Sequence, residues 1–321
     1  MRAVEYDAFG PAHVLEVRDV AEPPVCGADE IAVRVRAASV NPKDTFVRKG
    51  RFVAMTGTTF PRRAGYDWSG TVTDAGADVT GFAAGDLAYG MLNGWAGGAC
   101  AEAIVVKASE AVRAPRSISL VSAAAIPLAA LTALQALVDE AGLEAGRRVL
   151  VNGASGGVGA FGVQLAHHLG AHVTAVASGA NEETCRDLGA DAFVDYTQRP
   201  NVPEGPPFDV IFDVFGALRF EECAHALTAS GLMVTTVPTA SNLAAVSMTA
   251  TAGSGERRMK LVVVTSRAAD LTTMAELVDR GAVTAVIDRI YPLAEIRRAH
   301  EHVETKHTRG KVVVDVVLDH A

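Results

Sequence analysis

The residues most able to do chemistry lie mid-chain, where Ala154-Ser155-Gly156-Gly157-Val158-Gly159 separates an apolar run, Val149–Asn152, from a helical pattern, Val158–Leu169. A second apolar run, His172–Ala177, follows. Strand, glycine-rich turn, helix and strand within about 30 residues is the context that makes a G-x-G-x-x-G pattern meaningful. Ala154 takes the first glycine's place, with Gly156 and Gly159 as the second and third. A Cβ at the second position would hold a pyrophosphate off the backbone, and the third glycine permits close packing of helix on strand. The helix start, through Ser155, Gly157 and Val158, offers unpaired N–H groups and a positive dipole end to an anion. The chemistry implied is dinucleotide binding.

The end of the second run bears on which dinucleotide. An NAD site usually carries Asp or Glu about 20 residues after the turn, on the ribose 2′-hydroxyl. Here the run ends Ala177-Ser178-Gly179, with no carboxylate on it to repel a 2′-phosphate. Ser178 and Asn181 are donors for such a phosphate, and Arg186 is placed to offset Glu182 and Glu183. NADPH is the expected cofactor. Ser178 equally suits a helix N-cap.

These residues need a scaffold. Residues 1–115 are β-rich, with candidate strands Ala3–Tyr6, Leu15–Val20, Glu30–Ala38, Gly70–Ala75 and Ala101–Val106, and one short helix over Asn41–Lys49. Turn residues such as Phe9-Gly10-Pro11 and Asn93-Gly94 divide them. Strands and helices alternate afterwards: strands at Val149–Asn152, His172–Ala177, Ala192–Asp195, Val210–Val214, Leu232–Thr236 and Leu261–Thr265. Such alternation implies a parallel sheet with crossover helices and ligands at its carboxyl ends. A helix near Leu271–Arg280, a strand near Ala285–Ile290, the helix Leu293–Thr305 and the strand Lys311–Leu318 exceed one dinucleotide fold, and are expected to complete the first domain. The expected fold class is α/β, a doubly wound Rossmann sheet beside a rolled-up β domain. The expected domains are 1–121 with 268–321, and 122–267.

Composition excludes several classes. The 321 residues suffice for two cores. A net charge of −8 without a basic stripe argues against a nucleic-acid partner. No run of 18 apolar residues is free of charge and turn signals, so no membrane span is expected. Four scattered cysteines without a C-x-x-C fit a reduced, cytoplasmic setting.

Together these landmarks resemble the medium-chain dehydrogenase/reductase superfamily, most closely its zinc-free quinone oxidoreductase branch. The resemblance runs over essentially the whole chain, through Ala37–Asp44, Gly65–Gly70, Phe82–Asp86, Leu131-Thr132-Ala133, the glycine turn, Leu188–Asp191, Asp213–Gly216 and Arg309–Val313. It implies a GroES-like β-barrel-type catalytic domain with the acceptor bound in a cleft between the domains. Zinc members carry a Cys in the segment matching Asn41–Asp44 and a Gly-His-Glu at Gly65-Tyr66-Asp67; this chain has neither Cys nor His there. No metal is expected. The resemblance places Thr132 facing the nicotinamide and Tyr196 near the adenosine phosphate. In relatives a lysine often stands where Asn181 lies.

Without a Lewis acid, the chemistry left is hydride transfer to an acceptor that spreads charge by conjugation, a quinone or an α,β-unsaturated carbonyl. Asn41, at a strand end before Pro42, is the candidate for orienting substrate or the nicotinamide ribose, with an ordinary Asn turn residue as the alternative. Tyr66, at the vacated ligand position, is a tentative acceptor-oxygen partner, with simple space-filling as the alternative. Relatives place tyrosines around the acceptor; here Phe46 and Phe52 give an aromatic pocket wall without hydroxyls, with ordinary core packing as the alternative. Lys43 and Asp44 read as a local ion pair. Phe215 and Gly216 end the fourth strand where the ribose and nicotinamide should pass, Val237 ends the fifth, and Val263 lies in the sixth. Arg309 or Lys311 is a further candidate for the phosphate. The sixth strand leaves an apolar edge suited to a homodimer. A biosynthetic enoyl reductase and a non-catalytic NADPH-binding sensor are the alternatives.

Overall fold

Short runs rich in β-branched residues form the strands of the first unit, and the computed structural model describes residues 1–253 and 255–317. In chain order, β1 (Arg2–Tyr6), β2 (Glu16–Asp19), β3 (Glu30–Val40), β4 (Arg62–Arg63), β5 (Asp67–Ala75), β6 (Leu87–Met91), β7 (Ala103–Lys107) and β8 (Ala111–Arg113) come first. Helices α1 (Pro42–Arg48) and α2 (Val53–Thr56) follow β3, and α3 (Leu120–Ala123) and α4 (Pro127–Leu134) follow β8. The second unit then runs β9 (Arg148–Asn152), α5 (Gly157–His168), β10 (His172–Ala177), α6 (Glu182–Asp187), β11 (Ala192–Asp195), β12 (Phe208–Asp213), α7 (Phe220–Cys223), β13 (Leu227–Thr235), α8 (Ala240–Thr249) and β14 (Arg258–Leu261). The chain ends with α9 (Ala268–Asp279), β15 (Ile287–Pro292), α10 (Ile296–Glu304) and β16 (Lys311–Asp315). Two compact units result: Met1–Leu131 with Thr265–Ala321, and Thr132–Val264.

The first unit contains a three-stranded sheet, β2-β1-β4, and a seven-stranded sheet ordered β15-β16-β3-β5-β6-β8 with β7 on β3. Trp68, Ile31, Val33 and Val314 lie in its core. Registers matter here: Ser39 pairs with Asp67, and Val312 with Val40, so the next step brings Lys311 to Asn41. The second unit is a six-stranded parallel sheet, β11-β10-β9-β12-β13-β14. Its central strands are buried almost throughout, as a sheet covered on both faces requires.

The structure moves several expected elements. Strands β4, β6 and β8 and helix α2 were not foreseen; the three strands are short, and pairing with neighbours forms them. The sixth parallel strand is β14, Arg258–Leu261, rather than Leu261–Thr265. Register against β13 selects it, with Thr235 opposite Leu261, and the apolar residues after Leu261 lie beyond the ladder. Between β8 and β9 the helical stretch interrupted by Pro127 forms α3, α4 and a π-helical turn, Gln135–Glu140. Leu318, the expected end of the last strand, lies outside the described residues.

Candidate functional site

In the second unit the glycine turn has a clear division of labour. The left-handed residue is Gly153, at φ +85°, and not Ala154, whose methyl is fully buried. Gly153 therefore makes the tight turn that the spacing assigned to Ala154, because only glycine takes this backbone without strain. A Cβ on Gly159 would stand 2.0 Å from the Gly153 carbonyl oxygen. On Gly156 it would meet only that oxygen, at 3.4 Å. Gly159 is thus required by the protein, whereas Gly156 leaves space free at the turn. Ser155, Gly156, Gly157 and Val158 are all half-buried. The N–H groups that open α5 have no acceptor within the helix.

Other carboxyl ends meet this turn. The Asp213 carboxylate, fully buried at the end of β12, accepts from Asn152 Nδ2 (2.8 Å), the Gly216 N–H (3.0 Å) and the Leu218 N–H (3.1 Å). It holds the loop bearing Phe215, which stays 52% exposed with its Cβ over Gly153. Gly216, at φ +74°, packs against Val237, and Asn242 Nδ2 donates to the Val237 carbonyl (2.8 Å). Val263 lies beyond β14 and is 73% exposed. Thr132 is buried in α4.

At the end of β10, Asn181 Nδ2 donates to Ser178 Oγ (2.9 Å). Tyr196 is 43% exposed, and its N–H donates to the Ala177 carbonyl (3.2 Å). The adjacent strand adds a carboxylate that the local sequence of β10 does not show. Asp195, aligned with Ala177 on the adjacent strand, places a carboxylate oxygen where a Cβ on Gly179 would be 2.5 Å away. The Thr197 N–H (2.9 Å) and Oγ1 (2.8 Å) donate to it, and with the Gly179 N–H they hold it below its usual pKa. Arg186 is spent on Glu182, at 2.8 Å.

The first unit holds a buried polar network. Asp67 Oδ2 accepts from Ser39 Oγ (2.7 Å), Asn41 Nδ2 (2.9 Å) and Lys311 Nζ (3.4 Å), while Oδ1 accepts from the Leu128 N–H (2.8 Å). Lys311 Nζ also donates to Asn41 Oδ1. Lys311 is therefore buried in the first unit, and its place as a phosphate ligand is corrected. Burial lowers its pKa, against the pull of Asp67 and Asp44. Asn41 is 2% exposed, so it positions the network rather than presenting its amide outward. Asp44 Oδ2 accepts from the Asn41 N–H (2.8 Å), and among the described residues its Oδ1 has no partner. Burial raises the Asp44 pKa to about 6.

Beside this network stands an aromatic wall. Phe46 packs edge-on to Phe52 (6.4 Å between centroids), and Phe52 tilts against Trp95 at 4.9 Å. The Lys43 ammonium lies 3.9 Å from the Tyr66 ring centroid and 5.0 Å from that of Trp95, and donates to the Gly94 carbonyl (2.9 Å). The expected Lys43–Asp44 pair does not form. Tyr66 donates its hydroxyl hydrogen to the Trp95 carbonyl (3.0 Å), and burial pushes its pKa well up. It fills space and shapes the wall, with its proton already committed.

Zinc takes Cys, His and carboxylate ligands in tetrahedral array. The donors at this place are an amide and two carboxylates, one of them, Asp67, already facing an ammonium. Among the described residues no group of three or more His, Cys, Asp or Glu could hold a metal ion. The residues do not fit zinc. The second unit's half-open turn and exposed Phe215 do fit a dinucleotide.

Residues 27–116 match the alcohol dehydrogenase GroES-like domain, and residues 188–314 match a zinc-binding dehydrogenase domain. The chain is 31% identical to a chloroplast envelope quinone oxidoreductase homolog of Arabidopsis thaliana, covering 98% of each. It belongs to the medium-chain dehydrogenase/reductase superfamily, in the quinone oxidoreductase branch. Within that superfamily it is also 32% identical to the mitochondrial NAD(P)H oxidoreductase RTN4IP1 of Bos taurus, over 99% of this chain and 89% of that one. The solved quinone oxidoreductase of Coxiella burnetii superimposes with a TM-score of 0.89 at 32% identity, covering 98% of this chain and 99% of the other. This medium-chain reductase is an oxidoreductase that uses a nicotinamide cofactor. Among the described residues no helix is long and apolar enough to cross a membrane.

Proposed function

We propose that this medium-chain reductase transfers hydride from NADPH to a quinone or an α,β-unsaturated carbonyl without a metal ion. The observation that carries the reading is the first unit's donor set, in which Asn41, Asp67 and Lys311 bond one another beside an aromatic wall. A ring of Phe and Trp faces suits a flat conjugated acceptor. When bound, NADPH supplies the hydride from its nicotinamide ring. The glycine turn and α5 hold the pyrophosphate, the Phe215–Gly216 and Val237 loops border the ribose and nicotinamide, and Thr132 and Val263 complete that border. Ser178, Asn181 and Tyr196 take the adenosine end. Asp195 opposes a 2′-phosphate there, so the preference over NADH is modest.

The reading includes a homodimer joined through β14, supported by its edge position. It also includes a reduced cytoplasmic setting, supported by four unpaired cysteines. Steady-state assays with NADPH and a panel of quinones and enones test the reaction. Turnover of neither class overturns it and favours the non-catalytic sensor. Tighter binding of NADH than NADPH in fluorescence titration would remove the cofactor preference. Sensitivity of the rate to chelators, restored by zinc, would refute metal independence.

A further inference from the structure

We propose that Lys43 hydrogen-bonds the acceptor oxygen and delivers its proton as the acceptor is reduced. The proposal rests on the reductase reading above. A hydride leaves a conjugated acceptor as an enolate or a phenolate, so an oxygen must gain stabilisation and then a proton. Arg51 lies over the Phe46 ring, 4.7 Å from its centroid, and a guanidinium does not release its proton; the other groups nearest the aromatic wall are already committed. The Tyr66 hydroxyl hydrogen goes to the Trp95 carbonyl, Asn41 is bound to Asp67 and Lys311, and Lys311 itself is buried. Lys43 is different. It is half-buried, it lies over the faces of Tyr66 and Trp95, and one of its three N–H groups is used, on the Gly94 carbonyl. Among the described residues no carboxylate stands within ion-pair distance of it. The ring quadrupoles hold the cation in place without consuming its donors. Phe52 stacks on the same Trp95, so a flat acceptor resting on Phe46 and Phe52 brings its oxygen toward this ammonium.

The step balances. Hydride addition at the β-carbon forms a C–H bond and sends the C=C electron pair toward the carbonyl oxygen, while NADPH is oxidised to NADP⁺. An N–H bond of Lys43 breaks as the O–H bond forms, and water returns a proton to the amine. For a quinone the same transfer completes the hydroquinone.

Burial also makes Lys43 more acidic than an ordinary lysine, against the opposing charges of Asp44 and Asp67. Those carboxylates, the Tyr66 hydroxyl and, through Asp67, Lys311 are the titratable groups around it. Tyr66 is pushed upward and does not ionise in the same range. The active form is the protonated one, so activity falls as pH rises through the depressed Lys43 value.

The test uses the full chain, NADPH, cyclohexenone and benzoquinone, with Lys43→Met and Lys43→Arg. Lys43→Met is expected to lose about 10²-fold in kcat with cyclohexenone. Its NADPH affinity is expected to be unchanged, its thermal stability modestly lowered by the lost ring and Gly94 contacts, and its alkaline limb abolished. Lys43→Arg keeps the charge, retains part of the rate and shifts the limb upward. A Lys43→Met enzyme with wild-type kcat, or with the alkaline limb intact as titration of Lys311 would leave it, overturns the proposal. A wild-type enzyme that reduces neither acceptor defeats the reductase reading instead, and this proposal with it. Binding of para-nitrophenolate to the NADP⁺-loaded protein gives a readout apart from turnover. Weaker binding by Lys43→Met supports the oxygen contact, and equal binding by both proteins counts against it.

Discussion

At the residue scale, the buried carboxylates have consequences of opposite kinds. Asp44 has a folded pKa of about 6 against an ordinary 3.8. The folded state therefore holds a proton that the unfolded state releases between these values, and stability falls as pH rises from about 4 to 6. Asp44→Asn is expected to raise stability above pH 6, by at most about 3 kcal/mol, with the difference vanishing below pH 4; urea melts across that range check it. In the proposed cofactor site, Asp195 opposes the 2′-phosphate. Replacing it with Asn removes a charge beside Ser178 and should improve NADPH affinity relative to NADH, read as the ratio of the two dissociation constants. A lower ratio of NADPH to NADH affinity would contradict the placement of the 2′-phosphate in this corner. Neither effect is legible in the local sequence, because Asp195 reaches Gly179 through the β10–β11 register and Asp44 is raised by burial.

At the element scale, the strand–turn–helix of β9 and α5 was legible because its chemistry is local. The glycines, the apolar run and the helix lie within one stretch of chain. Even so, the role of each glycine depends on contacts. Gly159→Ala places a methyl on the Gly153 carbonyl, with no flexible side chain to yield. It should cost about 3 kcal/mol or more in thermal or denaturant unfolding. Gly156→Ala meets only ordinary contact. It should leave stability near wild type and weaken NADPH binding, so calorimetric binding and melting together separate the ligand's glycine from the protein's. Strand β14 shows the opposite case. The run Leu261–Thr265 has the stronger strand composition, but pairing with β13 engages Arg258–Leu261 instead.

At the scale of the whole molecule, the chain leaves the first unit after Leu131 and returns to it from Thr265. Placing β14 at the edge of the parallel sheet leads to an expected species of twice 33.4 kDa in sedimentation velocity. A monomer at all concentrations would remove the edge-pairing reading. The sequence by itself determined the dinucleotide turn, the alternating sheet and the lack of Cys and His at the zinc positions, since these are properties of contiguous residues. The tertiary structure alone decided that Lys311 closes on Asn41 from 270 positions away, that Tyr66 spends its hydroxyl on Trp95, and that Lys43 sits on two rings rather than on Asp44. The physical reason is that a side chain's polar partners are set by strand register and burial, and neither is encoded in its immediate neighbours.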